Sequence, residues 1–243
     1  MSGSVMILGV RVDRLTMAEA VARCQAMISE GGPHRIVTPN GEIIWAAQSD
    51  AELRGILNNS ALAVADGASV VLASRWLGQP LPQRVAGADL VEALLRAGKY
   101  RVFLLGATPE SVAEAAQRLP TLFPGTTVAG SQHGYFSEAE IPAIVAAAHA
   151  AAPDVLLVGM GAGKQERFLA AHLAATGVPL GVGIGGVIDV WAGRSQRAPL
   201  WMRRVNLEWA YRIVRFGRYS RSLPPLLWFL WAVWRSRREE PGR

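Results

Sequence analysis

The chain of 243 residues is 51% hydrophobic and 18% charged, which excludes intrinsic disorder and leaves room for one large α/β domain or two small lobes. Its single cysteine, Cys24, excludes an intrachain disulfide and suits a cytoplasmic setting. The net charge of +6 is unevenly placed: residues 1–193 carry 13 Lys+Arg against 16 Asp+Glu, whereas residues 194–243 carry 12 Arg and 3 Glu.

The opening MSGSVMILGVRVDR lacks a basic leader with a long apolar run and a small-residue cleavage site, so it reads as free of a signal peptide. Within it VMILGV (5–10) reads as a strand. Thr16-Met17-Ala18-Glu19 is a capping box opening a helix that ends near Gly31-Gly32. HRIVT (34–38) is a strand followed by the helical EIIWAAQ, and Ser49-Asp50-Ala51-Glu52 repeats the capping signature. ALAVA (61–65) is a short apolar strand that runs into Asp66-Gly67 and a helix-like GASVVLASRWL. GQPLPQR (78–84) is a loop, and ADLVEALLRAG (88–98) is a helix stopped by Gly98.

RVFLLG (101–106) is a strand, with Thr108-Pro109 placed as cap and first helical residue. TTVAGS (126–131) is a further strand, and Ser137-Glu138-Ala139-Glu140 opens an alanine-rich helix to about Ala152. DVLLVGMG (154–161), KQERFLAAHLAA and VPLGVGIG then read strand, helix, strand. This alternation predicts an α/β fold: a Rossmann-like, largely parallel sheet with helices on both faces.

Residues 200–243 form a separate basic, Trp-rich helical appendage to the core of residues 1–199. Six of the eight tryptophans lie from Trp191 onward. Trp201, Val205, Trp209, Ile213 and Phe216 share one helical face, with Arg203, Arg204, Arg215 and Arg218 roughly opposite. LPPLLWFLWAVW (223–234) is apolar throughout but much shorter than the ~20 residues a spanning helix needs. With RSRR behind it, it reads as lying in an anionic membrane interface; a helix packed on the domain or in an oligomer is the alternative.

Chemistry-bearing residues are few. GMGAGKQE (159–166), with Gly159, Gly161 and Lys164, sits at a strand-to-helix junction suited to phosphate. It is neither a Walker A loop, because Gln165 follows Lys164, nor a full dinucleotide fingerprint. The four histidines are scattered, with no HExxH or Asp-x-Asp pair, so metal-free chemistry is the default. No GxSxG elbow occurs. Asp66, at the end of an apolar strand, can be a helix cap or a catalytic base, and the spacing leaves both open.

Eight short motifs follow one another in order: TPNGE (38–42), ADG (65–67), RVAGADL (84–90), FLLG (103–106), GMGAGKQE (159–166), GIGGVID (183–189), AGRSQRAP (192–199) and NLEWAYR (206–212). Together they resemble the bacterial WecG/TagA/CpsF family of glycosyltransferases over about residues 5–220. The resemblance implies an inverting, metal-independent transfer of a hexose-type sugar from a UDP-sugar to a polyprenyl-diphosphate-linked saccharide. The setting it implies is cell-surface polysaccharide synthesis, peripherally on the cytoplasmic face of the inner membrane, with no cofactor. It further implies that Asp66 is the general base, that Thr38, Asn40 and Arg84 face the sugar cleft, and that Gln165 is a donor-side residue. Tyr135 and Asp189 would hold the uridine, and Arg212, Arg215, Arg218 and Arg221 would approach the diphosphate. The chain departs from the family pattern at Gly163 and Gly41, where proline is usual, and at Arg215-Phe216-Gly217-Arg218.

Asp66 fits such a role chemically, since inverting transfer needs a base within reach of the acceptor hydroxyl and a carboxylate at a strand end can serve. With no metal, arginines and fixed N–H groups must stabilise the leaving UDP. Three other readings compete: a nicotinamide-dependent oxidoreductase, a nucleic-acid binder using the tail, and a non-catalytic membrane scaffold. The broken glycine fingerprint disfavours the first, and the acidic core with its motifs disfavours the second. The sequence leaves oligomeric state open.

Overall fold

The computed structural model describes residues 3–205, 207–209, 211, 215, 217 and 219–239. The chain begins with an antiparallel hairpin, β1 (Ser4–Ile7) and β2 (Val10–Asp13). VMILGV therefore forms parts of two strands rather than one. Leu8 and Gly9 adopt left-handed backbone angles, φ 48° and 77°, and reverse the chain between them. α1 (Met17–Glu30) starts at the Thr16/Glu19 capping box and stops at Gly31. β3 (His34–Val37), α2 (Gly41–Ser49), α3 (Ala51–Asn58), β4 (Leu62–Ala63), α4 (Ala68–Trp76) and α5 (Gly87–Ala97) complete the first half. Asp50, rather than Ser49, caps α3, its carboxylate accepting from the Leu53 N–H.

The second half runs β5 (Arg101–Gly106), α6 (Pro109–Leu122), β6 (Thr127–Gln132), a 3-10 turn, α7 (Ile141–Ala151), β7 (Val155–Gly159), α8 (Lys164–Thr176), β8 (Leu180–Gly183) and α9 (Val187–Trp191). Thr108 caps α6 with Pro109 as its first residue, and Ser137 with Glu140 forms the capping box ahead of α7. Among the described residues two further helices are α10 (Leu200–Arg204) and α11 (Tyr219–Glu239).

Six strands form one parallel sheet in the order β4-β3-β8-β7-β5-β6. Side chains alternate across it, as a pleated strand requires. Val102 and Leu104 of β5 face a core closed by α1, α5, α6 and α9, while Phe103 and Leu105 face α7 and α8. A third cluster joins the hairpin to α2, α3 and α4 and includes Phe229 and Val233 of α11, both fully buried. The carboxy-terminal helix is thus packed through one face against α2 and α4.

Strand order places two crevices on one edge. From β3 the chain moves outward to β4 while β8 lies on the other side of β3; from β5 it moves outward to β6 while β7 lies on the other side of β5. Loops diverge at such switch points, and open α/β sheets bind ligands there, outside the carboxyl ends of the strands.

Candidate functional site

The first crevice is built by the loops after β3 and β4. Asn40 caps α2, its side-chain oxygen accepting from the Ile43 N–H at 3.0 Å. The group it can offer the crevice is its NH2 end. The Asp66 N–H donates to the Pro39 carbonyl and the Val85 N–H to the Ala65 carbonyl, both at 2.9 Å, which ties the three loops together. α4 begins only after Gly67, whose φ of 137° suits glycine alone and which makes no side-chain cap. Asp66 precedes that N-cap position, so the capping alternative for its side chain is not the one α4 uses.

Asp66, Asn40 and Arg84 line one cavity of about 410 Å³, together with Glu42, Ser69, Arg197, Glu208, Trp209 and four leucines of α11. Thr38 is absent from this lining; its methyl group lies under Gly87, where an added Cβ would stand 2.7 Å away. Arg84 Nη2 donates to Glu208 Oε2 at 2.9 Å, and Glu208 also accepts from Arg197 at 3.4 Å. Asp89, near the start of α5, accepts from Arg197 at 2.7 Å and from Arg203 at 2.6 Å. Burial opposes ionisation of Asp89, but these two guanidiniums outweigh it and hold the carboxyl below its ordinary value. Burial likewise disfavours the charged Arg197, and its bonds to Asp89 and Glu208 reverse that effect. This alternating network ties Arg197 and Arg203 to Asp89 of α5 and joins Glu208 to Arg197 and Arg84, which fixes two guanidiniums at the cavity.

The second crevice collects the remaining candidates. Gly106 (φ 134°) lies against the Gly159 carbonyl, and a Cβ on Gly159 would stand 2.7 Å from the Gly185 carbonyl oxygen. The turns after β5, β7 and β8 therefore stack backbone on backbone, which side chains would prevent. Gly134 is drawn in by its N–H bond to the Ala107 carbonyl, and the next residue, Tyr135, is 72% exposed. Asp189 stands in α9, where its carbonyl accepts from the Arg194 and Ser195 N–H groups.

At the start of α8 the expected open phosphate cradle is already partly filled. Glu166 Oε2 accepts from the Gly163 N–H at 2.6 Å, and Gln165 Nε2 donates to Glu166 Oε1 at 2.9 Å. Gln165 Oε1 accepts from the Gly185 N–H, so this buried glutamine braces α8 against the loop after β8. Burial pushes the Glu166 carboxyl up, despite those hydrogen bonds. Lys164 and Gly161 are exposed beside it.

Every core residue singled out from the sequence thus falls on the carboxyl edge of the sheet, divided between two crevices. Arg215 is exposed; Arg221 lies in α11. Arg212 and Arg218, like Ile213 and Phe216, lie outside the described residues. Sequence reasoning did not single out Arg197, Glu208, Trp209 or the α11 leucines as cavity residues. Arg197 and Glu208 stand inside the quoted AGRSQRAP and NLEWAYR motifs, but their pairing across the chain has no local signature. Among the described residues, no three His, Cys, Asp or Glu side chains cluster so as to hold a metal ion.

Residues 5–241 match the family described as the Glycosyl transferase WecG/TagA/CpsF family. An N-acetylglucosaminyldiphosphoundecaprenol N-acetyl-beta-D-mannosaminyltransferase of Staphylococcus aureus (strain NCTC 8325 / PS 47) is 35% identical over 232 residues, covering 92% of this chain and 90% of that protein. The protein of the same description from strain MRSA252 is 36% identical over 233 residues, with the same shares covered.

Proposed function

This chain belongs to the WecG/TagA/CpsF family of glycosyltransferases, and from that premise we propose that it moves a hexose-type sugar from a UDP-sugar to a polyprenyl-diphosphate-linked saccharide. The observation that carries the reading is the cavity that brings the Asp66 carboxylate together with Arg84 and Arg197 beneath a wall of leucines. A carboxylate, cations and hydrocarbon are what a sugar hydroxyl, a diphosphate and a prenyl chain respectively require. Asp66 takes the proton from the acceptor hydroxyl as its oxygen attacks the anomeric carbon and the bond to UDP breaks. The negative charge gathering on UDP is met by N–H groups and arginines, with no metal in the scheme. The S. aureus relatives are named for a β-linked product. If the donor is an α-linked UDP-sugar, one displacement inverts the anomeric carbon.

In this reading Asn40 and Arg84 serve the acceptor side, and Thr38 shapes the loop that carries Asn40. Tyr135 and Asp189 flank the uridine, with Gly159, Gly161, Lys164 and Gln165 between them and the sugar. Arg212, Arg215, Arg218 and Arg221 supply further charge to the diphosphates. The protein works peripherally on the cytoplasmic membrane face. Trp201, Trp209, Trp231 and Trp234 are all exposed beside a strongly basic tail, and no helix among the described residues is long and apolar enough to cross a membrane.

The test is UDP release by purified protein, with EDTA present, from a panel of UDP-sugars and polyprenyl-diphosphate mono- and disaccharides. The first pair is UDP-N-acetylmannosamine with an N-acetylglucosaminyl diphosphate lipid. Release that needs one donor and one lipid acceptor is expected. Release restored only by added metal would remove the metal-free step, and silence across the panel would remove the reading.

A further inference from the structure

At the start of α8 two side chains hold both backbone polar groups of one glycine. The Gly163 N–H donates to Glu166 Oε2 at 2.6 Å, and the Gly163 carbonyl accepts from Arg167 Nη1 at 3.2 Å. Gly163 has a left-handed φ of 86°. Proline, usual at this place in the family pattern, has neither that angle nor an N–H to give, so the contact belongs to this chain's glycine. Glu166 is 2% exposed, yet Arg167 beside it pairs with Asp50 and Glu52 instead. Among the described residues its hydrogen-bond partners are N–H groups rather than a cation. Burying a carboxylate in this way is costly.

The next two bonds give that cost a purpose. Gln165 Nε2 donates to Glu166 Oε1 at 2.9 Å, and Gln165 Oε1 accepts from the Gly185 N–H at 3.0 Å. An amide turned the other way would set its NH2 against the Gly185 N–H, donor against donor. A carboxylate at 166 accepts at both oxygens and so keeps the amide turned towards Gly185. The amide lies close on β8, where a Cβ on Gly183 would stand 2.6 Å from Gln165 Nε2. On its other side the Gly185 carbonyl oxygen would stand 2.7 Å from a Cβ on Gly159. Gly185 is thus gripped at its N–H and its carbonyl, just ahead of α9, which carries Asp189.

We propose that Glu166 is a positioning residue that, through the Gln165 amide, sets the loop after β8 for the donor nucleotide. Resting on the reading of the second crevice as the UDP-sugar site, this gives the buried carboxylate a task in donor binding rather than in proton transfer. Glu166→Gln keeps the shape and removes one acceptor. Whichever way the new amide turns, one N–H then meets another, and the longest of the three bonds, at Gly185, is the one to open. The reciprocal variant Gln165→Glu/Glu166→Gln moves the carboxylate back by one position and restores an acceptor to every donor.

The test uses the full chain and reads hydrogen exchange of residues 183–189 without nucleotide, with β5 as the reference for folding. Glu166→Gln should exchange that segment at least about tenfold faster than wild type while β5 is unchanged, and the reciprocal variant should return it to the wild-type rate. In turnover, Glu166→Gln should raise the KM for the UDP-sugar about tenfold and leave the KM for the lipid acceptor alone. Neither KM depends on how much of the variant is folded, so a merely structural role would not split them. Unchanged exchange, fast exchange that the reciprocal variant does not slow, or an unchanged donor KM overturns the role. If Glu166→Gln loses protection in β5 as well, Gln165→Met carries the exchange test, and protection of 183–189 kept in that variant overturns the brace.

Added UDP separates this failure from failure of the transfer reading. UDP should slow exchange of 183–189 in wild type and do so less in Glu166→Gln. Equal slowing in both keeps the donor site and discards the positioning role. No slowing in wild type, with the exchange pattern of the variants as expected, keeps the brace and discards the donor site.

Discussion

Asp66 stands at the end of a buried strand and ahead of a glycine that starts the next helix without a side-chain cap. It lines a cavity with two guanidiniums in its wall, and the proposed reaction assigns it the proton of the acceptor hydroxyl. Asp66→Asn keeps the shape and removes the base, so donor binding should persist while turnover falls about 10²–10⁴-fold. UDP release and titration with the donor measure the two separately; turnover within a few-fold of wild type would take Asp66 out of the reaction. Gly106 poses a different kind of constraint. Its backbone angle is left-handed and its Cα faces the Gly159 carbonyl, so Gly106→Ala should push the β5 and β7 turns apart. A loss of about 1–3 kcal/mol in urea unfolding is expected. The positions of Asp66, in the middle of ADG, and of Gly106, at the end of FLLG, were both legible as motif residues. The state of Glu166 was not: GMGAGKQE reads as an empty cradle until its own carboxylate is seen to occupy the Gly163 N–H.

Among the elements, α11 departs furthest from its sequence pattern. LPPLLWFLWAVW shows one apolar run, whereas the folded helix divides it into a buried anchor, a cavity wall and an exposed stripe. That division depends on the β1–β2 hairpin and α2, about 200 residues earlier, and no local window contains it. The same holds for the hairpin, where Leu8-Gly9 lacks the usual Asn-Gly turn signal. The capping boxes at Thr16 and Ser137, by contrast, are complete within four residues and were fully legible. Phe229→Ala should cost about 3–5 kcal/mol, the range for emptying a fully buried aromatic site, and calorimetry would register it. A change below 1 kcal/mol would mean that α11 is not part of the core. The clamp of Arg197 and Arg203 on Asp89 of α5 carries a pH signature. Asp89 titrates below its ordinary 3.8 when folded, so its contribution is complete above that value and fades as pH falls through the lower folded one. Unfolding of Asp89→Asn across pH should show a constant deficit at neutral pH that closes only below about pH 4. A deficit that stays open in acid would assign the loss to packing rather than charge.

For the whole molecule, a parallel sheet sends every strand-to-helix loop to one edge, which is why residues scattered from Thr38 to Asp189 converge there. The parallel α/β sheet was readable from the alternation of strands and helices; the two-crevice division needed the strand order, which the alternation does not supply. The exposed tryptophans lie at the other end of the argument. Trp231 and Trp234 project from a helix whose opposite face is core, so truncating residues 200–243 would damage the fold and confound any membrane assay. Surface substitution avoids this. Arg235 stacks over the Trp231 ring at 5.6 Å, placing charge and aromatic surface together as an anionic lipid interface favours. Wild-type protein should sediment with vesicles containing phosphatidylglycerol, less so in high salt, because the basic share of the attraction is screened while the apolar share is not. Trp231→Ser/Trp234→Ser should weaken sedimentation at least about tenfold and leave what remains more sensitive to salt, since the arginines then act alone. Sedimentation unchanged by the two substitutions would move the membrane face away from α11.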